Sequence, residues 1–272
     1  MTEKKDTWQL IEEQQKKFNS LKLSDMIDYE KYYIYSIIAH STAIEGSTLS
    51  EKDTQLLLDE GITKKGTIQE HFMNLDLKNA YALAIEEAKK KSPITPDLLK
   101  NLNSLILKNT GSIMSVPAGT FDVSKGEYRL CDVTAGIGGK SYMNYQKVPD
   151  KVDQLCDELN KRITEAKRMK DIYNLSFDAH FNLVTIHPWI DGNGRSSRLL
   201  MNYIQFYHRV TPTKVYKEDK ANYIDALQKS RDNETLSPFR EFMAKQHLKN
   251  LQQEIRNYEQ SQKKSNGFKL MF

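Results

Sequence analysis

Apolar positions at three- and four-residue spacing recur along most of the chain and predict a succession of amphipathic helices. Asp6 to Asn19 carries Trp8, Leu10, Ile11 and Phe18 in such a pattern, although its many Gln and Lys residues leave it weakly anchored, as an arm or packing lid. Asp28 to Ile44 makes a better helix through Ile34, Ile37, Ile38 and Ile44, with Gly46 as the expected stop residue. Ser50 with Asp53, or Thr48 with Glu51, caps a helix containing Leu56, Leu57 and Leu58 that ends at Gly61. A long helix is predicted from Ile68 to Lys90, and Thr95-Pro96 opens another that runs to about Lys108. Pro149 starts the helix of Val152, Leu155, Leu159 and Ile163, and Asp171 to Ile186 forms the next, with Phe177, Phe181, Val184 and Ile186 apolar. Leu199, Leu200, Tyr203, Ile204 and Tyr207 belong to a helix opening near Asn193 or Gly194. Helices over Tyr216 to Lys229 and from Ser237-Pro238 onward complete the series, and residues from about Ser261 read as tail.

One stretch breaks the pattern. From Gly111 to Val148, Gly119, Gly126, Gly136, Gly138 and Gly139 divide short pieces such as Glu127 to Val133, and no helix fits. A strand-bearing insertion is expected there.

Composition adds limits rather than a function. The 272 residues, 39% hydrophobic and 28% charged, suffice for one good-sized core with an extra segment. No apolar run is long enough for a membrane span, and Met-Thr-Glu-Lys-Lys-Asp-Thr-Trp lacks the apolar centre of a signal peptide, so a soluble cytoplasmic protein without membrane partners is expected. A net charge of +4, from 40 basic and 36 acidic residues, forms no basic stripe and disfavours nucleic acid as a partner. Cys131 and Cys156 are expected to be free thiols; His71 reads as packed or exposed, not as a ligand, and His180 as packed or exposed, not as a second base.

The densest chemistry lies between His187 and Arg198, H-P-W-I-D-G-N-G-R-S-S-R. Pro188 and Asp191-Gly192 stop one helix and another opens just beyond, so the unit is helix, glycine-bearing loop, helix. First-turn amides lack intrahelical partners and, with the helix dipole, form an anion site; Gly192 and Gly194 leave it accessible. Arg195 and Arg198, three residues apart, share a helical face and can fork onto phosphate oxygens. A polyphosphate suits this set. Taken singly, each residue has an ordinary explanation: a helix cap for His187, a turn for Asp191-Gly192, a solvated face for the arginines.

This segment resembles the Fic domain signature, H-P-F-x-[DE]-G-N-G-R-x-x-R, at every fixed position except that Trp189 replaces the Phe. The similarity covers roughly Asp28 to Leu251. It implies an all-α Fic fold, a helical bundle with a short β-hairpin flap at about residues 127–147, for which Gly126-Glu127-Tyr128-Arg129 and Val133 to Gly139 supply similar pieces. The implied organisation is N-terminal helices over residues 1–60, a Fic core over 61–251, and a helix end and tail over 252–272. Trp189 is expected to pack the loop onto the core.

The resemblance implies a protein adenylyltransferase that moves AMP from ATP to a Ser, Thr or Tyr hydroxyl of a target aligned by strand addition to the flap. In that scheme His187 is the base, Asp191 the Mg²⁺ ligand, Asn193 a donor to the α-phosphate, and Arg195 with the loop amides of Gly192 and Gly194 neutralises the departing pyrophosphate. Arg198 holds the γ-phosphate, and Tyr223 belongs to a segment, Tyr223-Ile224-Asp225-Ala226-Leu227, similar to one that lies near the base of the nucleotide, although a tyrosine there is as readily core. Ser41-Thr42-Ala43-Ile44-Glu45-Gly46 resembles the family's inhibitory motif, [ST]-x-x-x-E-[GN], whose Glu pairs with the second signature arginine, here Arg198. A glutamate at a helix C-terminus is disfavoured by the dipole, so Glu45 needs a cationic partner or a task. The same residue could instead orient a water that removes AMP. Left open are a silent ATP-binding or partner-docking protein, transfer of UMP, GMP or phosphocholine, a homodimer, and the identity of the target.

Overall fold

The computed structural model describes residues 5–135 and 139–268. It is 69% helical, an all-α bundle with ten helices among the described residues. These are α1 (Thr7–Ser20), α2 (Tyr29–Ile44), α3 (Glu51–Glu60), α4 (Ile68–Lys89), α5 (Pro96–Ile106), α6 (Val148–Glu165), α7 (Met169–Ile186), α8 (Asn193–Tyr207), α9 (Lys220–Asp232) and α10 (Ser237–Phe268). Strands β1 (Ile113–Val116) and β2 (Gly119–Asp122) pair antiparallel, with Ile113 opposite Asp122.

Helix starts follow local chemistry. Asp6 with Gln9, Ser50 with Asp53, and Thr67 with Glu70 form reciprocal capping boxes for α1, α3 and α4. Thr95 accepts from the Leu98 amide ahead of Pro96 at the start of α5.

Two apolar clusters share α7 and α8 as their dividing wall. Leu175, Ala179, Leu183, Leu199, Leu200, Tyr203 and Ile204 face α2, α4, α5 and α6, whereas Tyr173, Phe177, Phe181 and Met201 face α1, α9 and α10. Helix α8 is therefore buried nearly all round. In its C-terminal half the buried polar groups are paired: Tyr81 donates to Asn202 at 2.7 Å, and Gln205 bonds Ser176 and Thr213. The loop between α7 and α8 consequently starts and ends on the most constrained elements of the molecule.

Several expectations change. Helix α1 is not weakly anchored: Ile11 and Phe18 are buried in the second cluster with Ile255, and Lys17 pairs with Glu259 of α10 at 2.7 Å. The stretch beyond Ser261 continues α10 to Phe268 instead of forming tail. The region without α-helix does contain 3₁₀ turns at Val123–Lys125 and Tyr145–Lys147, and the paired strands lie before the expected flap. Within that flap a single antiparallel bridge joins Thr134 and Ser141, with Tyr142 N–H donating to Val133 O at 2.9 Å and Ala135 N–H to Lys140 O at 3.1 Å. Gly136, Ile137 and Gly138, at the expected tip, lie outside the described residues. Cys131 and Cys156 are free. Among the described residues no helix is long and apolar enough to cross a membrane.

Candidate active site

His187 ends α7 in a left-handed conformation, φ 54°, its amide bonded to Leu183 O. Pro188 follows and the chain turns into the loop. Trp189 is 1% exposed; its indole N–H donates to Gly126 O at 2.9 Å, so the larger aromatic ring does pack the loop onto the core. Asn193 clamps the loop from the other side, accepting from Trp189 N–H at 3.1 Å and donating to Trp189 O at 2.8 Å. The Asn193 side chain, expected as a phosphate donor, thus spends its carbonyl and one N–H on the loop.

The two glycines have different tasks. Gly192 has φ 80°, and a Cβ there would lie 2.6 Å from Asn103 Nδ2, so this glycine lets the loop close against α5 rather than opening it to a ligand. A Cβ on Gly194 would lie 2.5 Å from Glu45 Oε1 and 3.2 Å from Arg198 Nη1. The space above the first turn of α8 is therefore held by the Glu45 carboxylate. Gly192 at the N-cap offers no side-chain acceptor to the helix, so an outside anion is the natural complement.

Glu45 reaches this place from α2. Tyr33 O–H donates to Pro212 O at 2.6 Å, Lys214 to Ser36 Oγ at 2.8 Å, and Thr42 Oγ1 to Asn74 Oδ1 at 3.0 Å, fixing that helix along its length. At its end Arg198 Nη2 donates to Glu45 Oε1 at 2.6 Å and to Ser41 O at 3.0 Å, while Arg198 Nε donates to Ser41 Oγ at 2.8 Å. Burial alone would push the Glu45 carboxyl up; the charge and hydrogen bond of Arg198 outweigh it, with Arg195 and Lys220 adding, and the carboxyl lies below its usual range.

Arg195 and Arg198 are both buried, yet Arg195 Nε and Nη1 and Arg198 Nη1 have no hydrogen-bond acceptor. Among the described residues Arg195 pairs with the Asp191 carboxylate, at 3.3 Å. Buried guanidinium N–H groups without acceptors are costly, and phosphate oxygens would complete them. Asp191 is exposed, and its Oδ1 accepts from the Gly192 amide at 2.6 Å. Among the described residues no group of three or more His, Cys, Asp or Glu could hold a metal alone. A single exposed carboxylate beside a polyphosphate site does fit Mg²⁺ held jointly with substrate phosphates.

His187 Nδ1 lies 3.2 Å from Val184 O, which assigns its proton to Nδ1 and leaves Nε2 as the acceptor. Burial, with the Arg129 and Arg231 charges, lowers its pKa to about 4, so the ring is neutral at pH 7. Tyr142 of the flap stacks on the imidazole, ring centroids 3.8 Å apart, and Arg231 of α9 lies over the other side of that tyrosine at 5.4 Å.

Tyr223 does not offer a face to a nucleotide base. Its ring is closed into the second cluster against Phe239 and Phe242, its hydroxyl bonds His180 Nε2 at 2.8 Å, and it supports Arg198 from below. His180 is fully buried, and burial together with the Arg198 charge keeps it neutral. His71 bonds Lys65 O at 2.6 Å on the surface.

Arg129 is the residue that the sequence reading underused. It is 1% exposed, and its guanidinium donates to His187 O at 2.8 Å, to Cys131 O at 2.6 Å and to Met143 O, while its amide donates to Pro188 O at 3.1 Å. It fastens both legs of the flap to the histidine. Its place beside the expected flap was the only sequence signal for this.

A helix, a glycine-bearing loop with a neutral histidine, and two buried arginines with unpaired N–H groups on the next helix stand together at one end of an α-helical bundle. Residues 93–205 match the model of the Fic/DOC family. It is 28% identical over 229 residues to protein adenylyltransferase fic-1 of Caenorhabditis elegans and 29% identical over 220 residues to protein adenylyltransferase Fic of Culex quinquefasciatus. These alignments take in 83% and 79% of this chain but 42% and 40% of the relatives, so the chain spans about two fifths of the length of the curated relatives it matches. The solved structure of C. elegans Fic-1 superposes with a TM-score of 0.74 at 25% identity, covering 94% of this chain and 72% of that one. A Fic domain-containing signaling protein from Bacteroides thetaiotaomicron shares the fold, with a TM-score of 0.75 at 23% identity over 91% of this chain and 96% of that one.

Proposed function

We propose that this protein transfers AMP from ATP to a hydroxyl of a target protein, and that Glu45 holds it in a latent state. The observation that carries this reading is the Glu45–Arg198 pair at 2.6 Å over Gly194, an internal anion seated on the arginine a polyphosphate would need. The names of the curated relatives support the group transferred.

In the transfer step the target hydroxyl attacks the α-phosphorus. An O–P bond forms, the bond to the β-phosphate bridging oxygen breaks, and pyrophosphate leaves. His187 Nε2 takes the hydroxyl proton; a neutral imidazole with Nδ1 held by Val184 O is the right form for a base. Arg195, through its free Nε and Nη1, neutralises the leaving pyrophosphate, and the Gly194 turn lets phosphate approach the α8 amides. Asp191 would hold Mg²⁺, which supplies charge neutralisation on the phosphates. Arg198 takes the γ-phosphate once Glu45 withdraws. With Glu45 in place that ligand is lost and ATP cannot settle in line for attack.

Intact-mass measurement tests the activity. Glu45→Gly incubated with ATP and Mg²⁺ should gain one AMP on itself or on an added target, and Glu45→Gly with His187→Ala should gain none. No adduct on any protein, with ATP still bound, would contradict transfer and leave a nucleotide-binding protein. Competition by UTP and GTP for the same labelling identifies the preferred nucleotide.

A further inference from the structure

A cavity of about 780 Å³ opens at the opposite end of the α7–α8 pair from His187. Helix α8 spans 15 residues between the two, about 22 Å at the helical rise. Phe18, Tyr29, Tyr33, Ile172 and Phe206 form its walls, so it is apolar and largely aromatic. The hydroxyls of its tyrosines are already bonded: Tyr29 donates to Glu254 at 3.1 Å, Tyr33 to Pro212 O at 2.6 Å and Tyr173 to Thr211 O at 2.8 Å.

Its rim is cationic. Lys89, Lys167 and Arg209 border it against one carboxylate, Glu30, which already lies 3.5 Å from Lys89. Among the described residues, Lys167 and Arg209 have no carboxylate within salt-bridge distance. Lys91 sits beside them, and burial together with the Arg209 and Lys167 charges lowers its pKa, as expected of like charges gathered without a counterion. Both Lys91, φ 62°, and Arg209, φ 55°, follow a helix end in the left-handed conformation that glycine usually supplies. Two helix termini thus place strained basic residues around one opening. Gln15 Oε1 in the wall is buried without a hydrogen-bond partner.

We infer that this cavity is a second ligand site, separate from the nucleotide site, that takes a planar aromatic group carrying a phosphate, sulfonate or carboxylate. The ring lies among Phe18, Tyr29, Tyr33 and Phe206, and the anion meets Lys167 and Arg209. The volume is in the range that encloses a small molecule.

The test uses the full chain and 1-anilinonaphthalene-8-sulfonate, read by fluorescence and calorimetry. Saturable binding with one probe per chain is expected. Lys167→Glu with Arg209→Glu, both at exposed positions, should weaken it at least about tenfold, the loss of a charge-assisted contact. Lys52→Glu with Lys64→Glu, exposed elsewhere, should leave it unchanged at the same melting temperature. Arg195→Ala, in the nucleotide site, should leave probe binding unchanged, and phenyl phosphate should compete where inorganic phosphate does not. Absence of saturable binding, binding undiminished in the Lys167 and Arg209 variant, binding lost in Arg195→Ala, or equal competition by inorganic phosphate would each overturn the proposal.

Discussion

Arg129 gives its guanidinium to the carbonyls of His187, Cys131 and Met143, and the carboxylate beside it among the described residues, Asp132 at 3.7 Å, is exposed. A buried cation arranged this way positions the base and the flap together, and its charge helps to keep His187 neutral. Given the transfer reading, Arg129→Met should lower transfer by about a hundredfold, the scale of a 1 Å misplacement, with ATP affinity unchanged. The His187 titration, followed by NMR, should move upward from about 4 because a neighbouring cation is lost. Arg129→Lys keeps the charge but not the fork, so it should lose transfer while the titration stays low. An unmoved titration in Arg129→Met would contradict the electrostatic part. The grouping of His187, Asp191, Arg195 and Arg198 was legible because fixed spacing on one helix and loop brings them together. Arg129 under His187 and Tyr142 over it were not, since both contacts join residues 45 or more positions apart and no local pattern encodes them.

At the scale of elements, helix starts were readable and ends were less so. A capping box is written in four residues, as at Ser50 to Asp53, and the structure makes it there rather than at Thr48. The far end of α10 has no such mark, and its polar composition resembles tail until α1 is seen packed along it. Ile11 carries that contact at 0% exposure. Ile11→Ala should destabilise the fold by about 2–5 kcal/mol, read as a lowered urea midpoint at unchanged slope. A midpoint within error of the parent would mean that α1 is a loose arm after all. Strand pairing was expected within Gly111 to Val148: alternation in Ile113–Asp122 makes a ladder ahead of the expected flap, and among the described residues of the flap one bridge joins Thr134 and Ser141.

Across the whole molecule, two clusters meet at α7 and α8, and α2 delivers Glu45 from one side of that wall to the loop on its end. Neutral histidines lie in the same wall and beside it. Burial, chiefly, lowers the pKa of His187 to about 4 and of His247 to about 3, and holds His180 well below its ordinary value. The unfolded chain binds protons on these groups near 6.5 and the folded chain does not, so stability is full above that pH and falls on acidification. The melting temperature should therefore decline from pH 7.5 to 5.5; a flat or rising profile would contradict neutral burial. Glu45 is held below its usual range and stays charged throughout that window, so its grip on Arg198 persists across it.

The latent state is the central claim, and the rate of labelling from ATP carrying label on its α-phosphate tests it most directly. Glu45→Gly should incorporate label at least about tenfold faster than the parent, the weight of one charge-assisted buried contact. Equal rates in the two proteins would contradict the account.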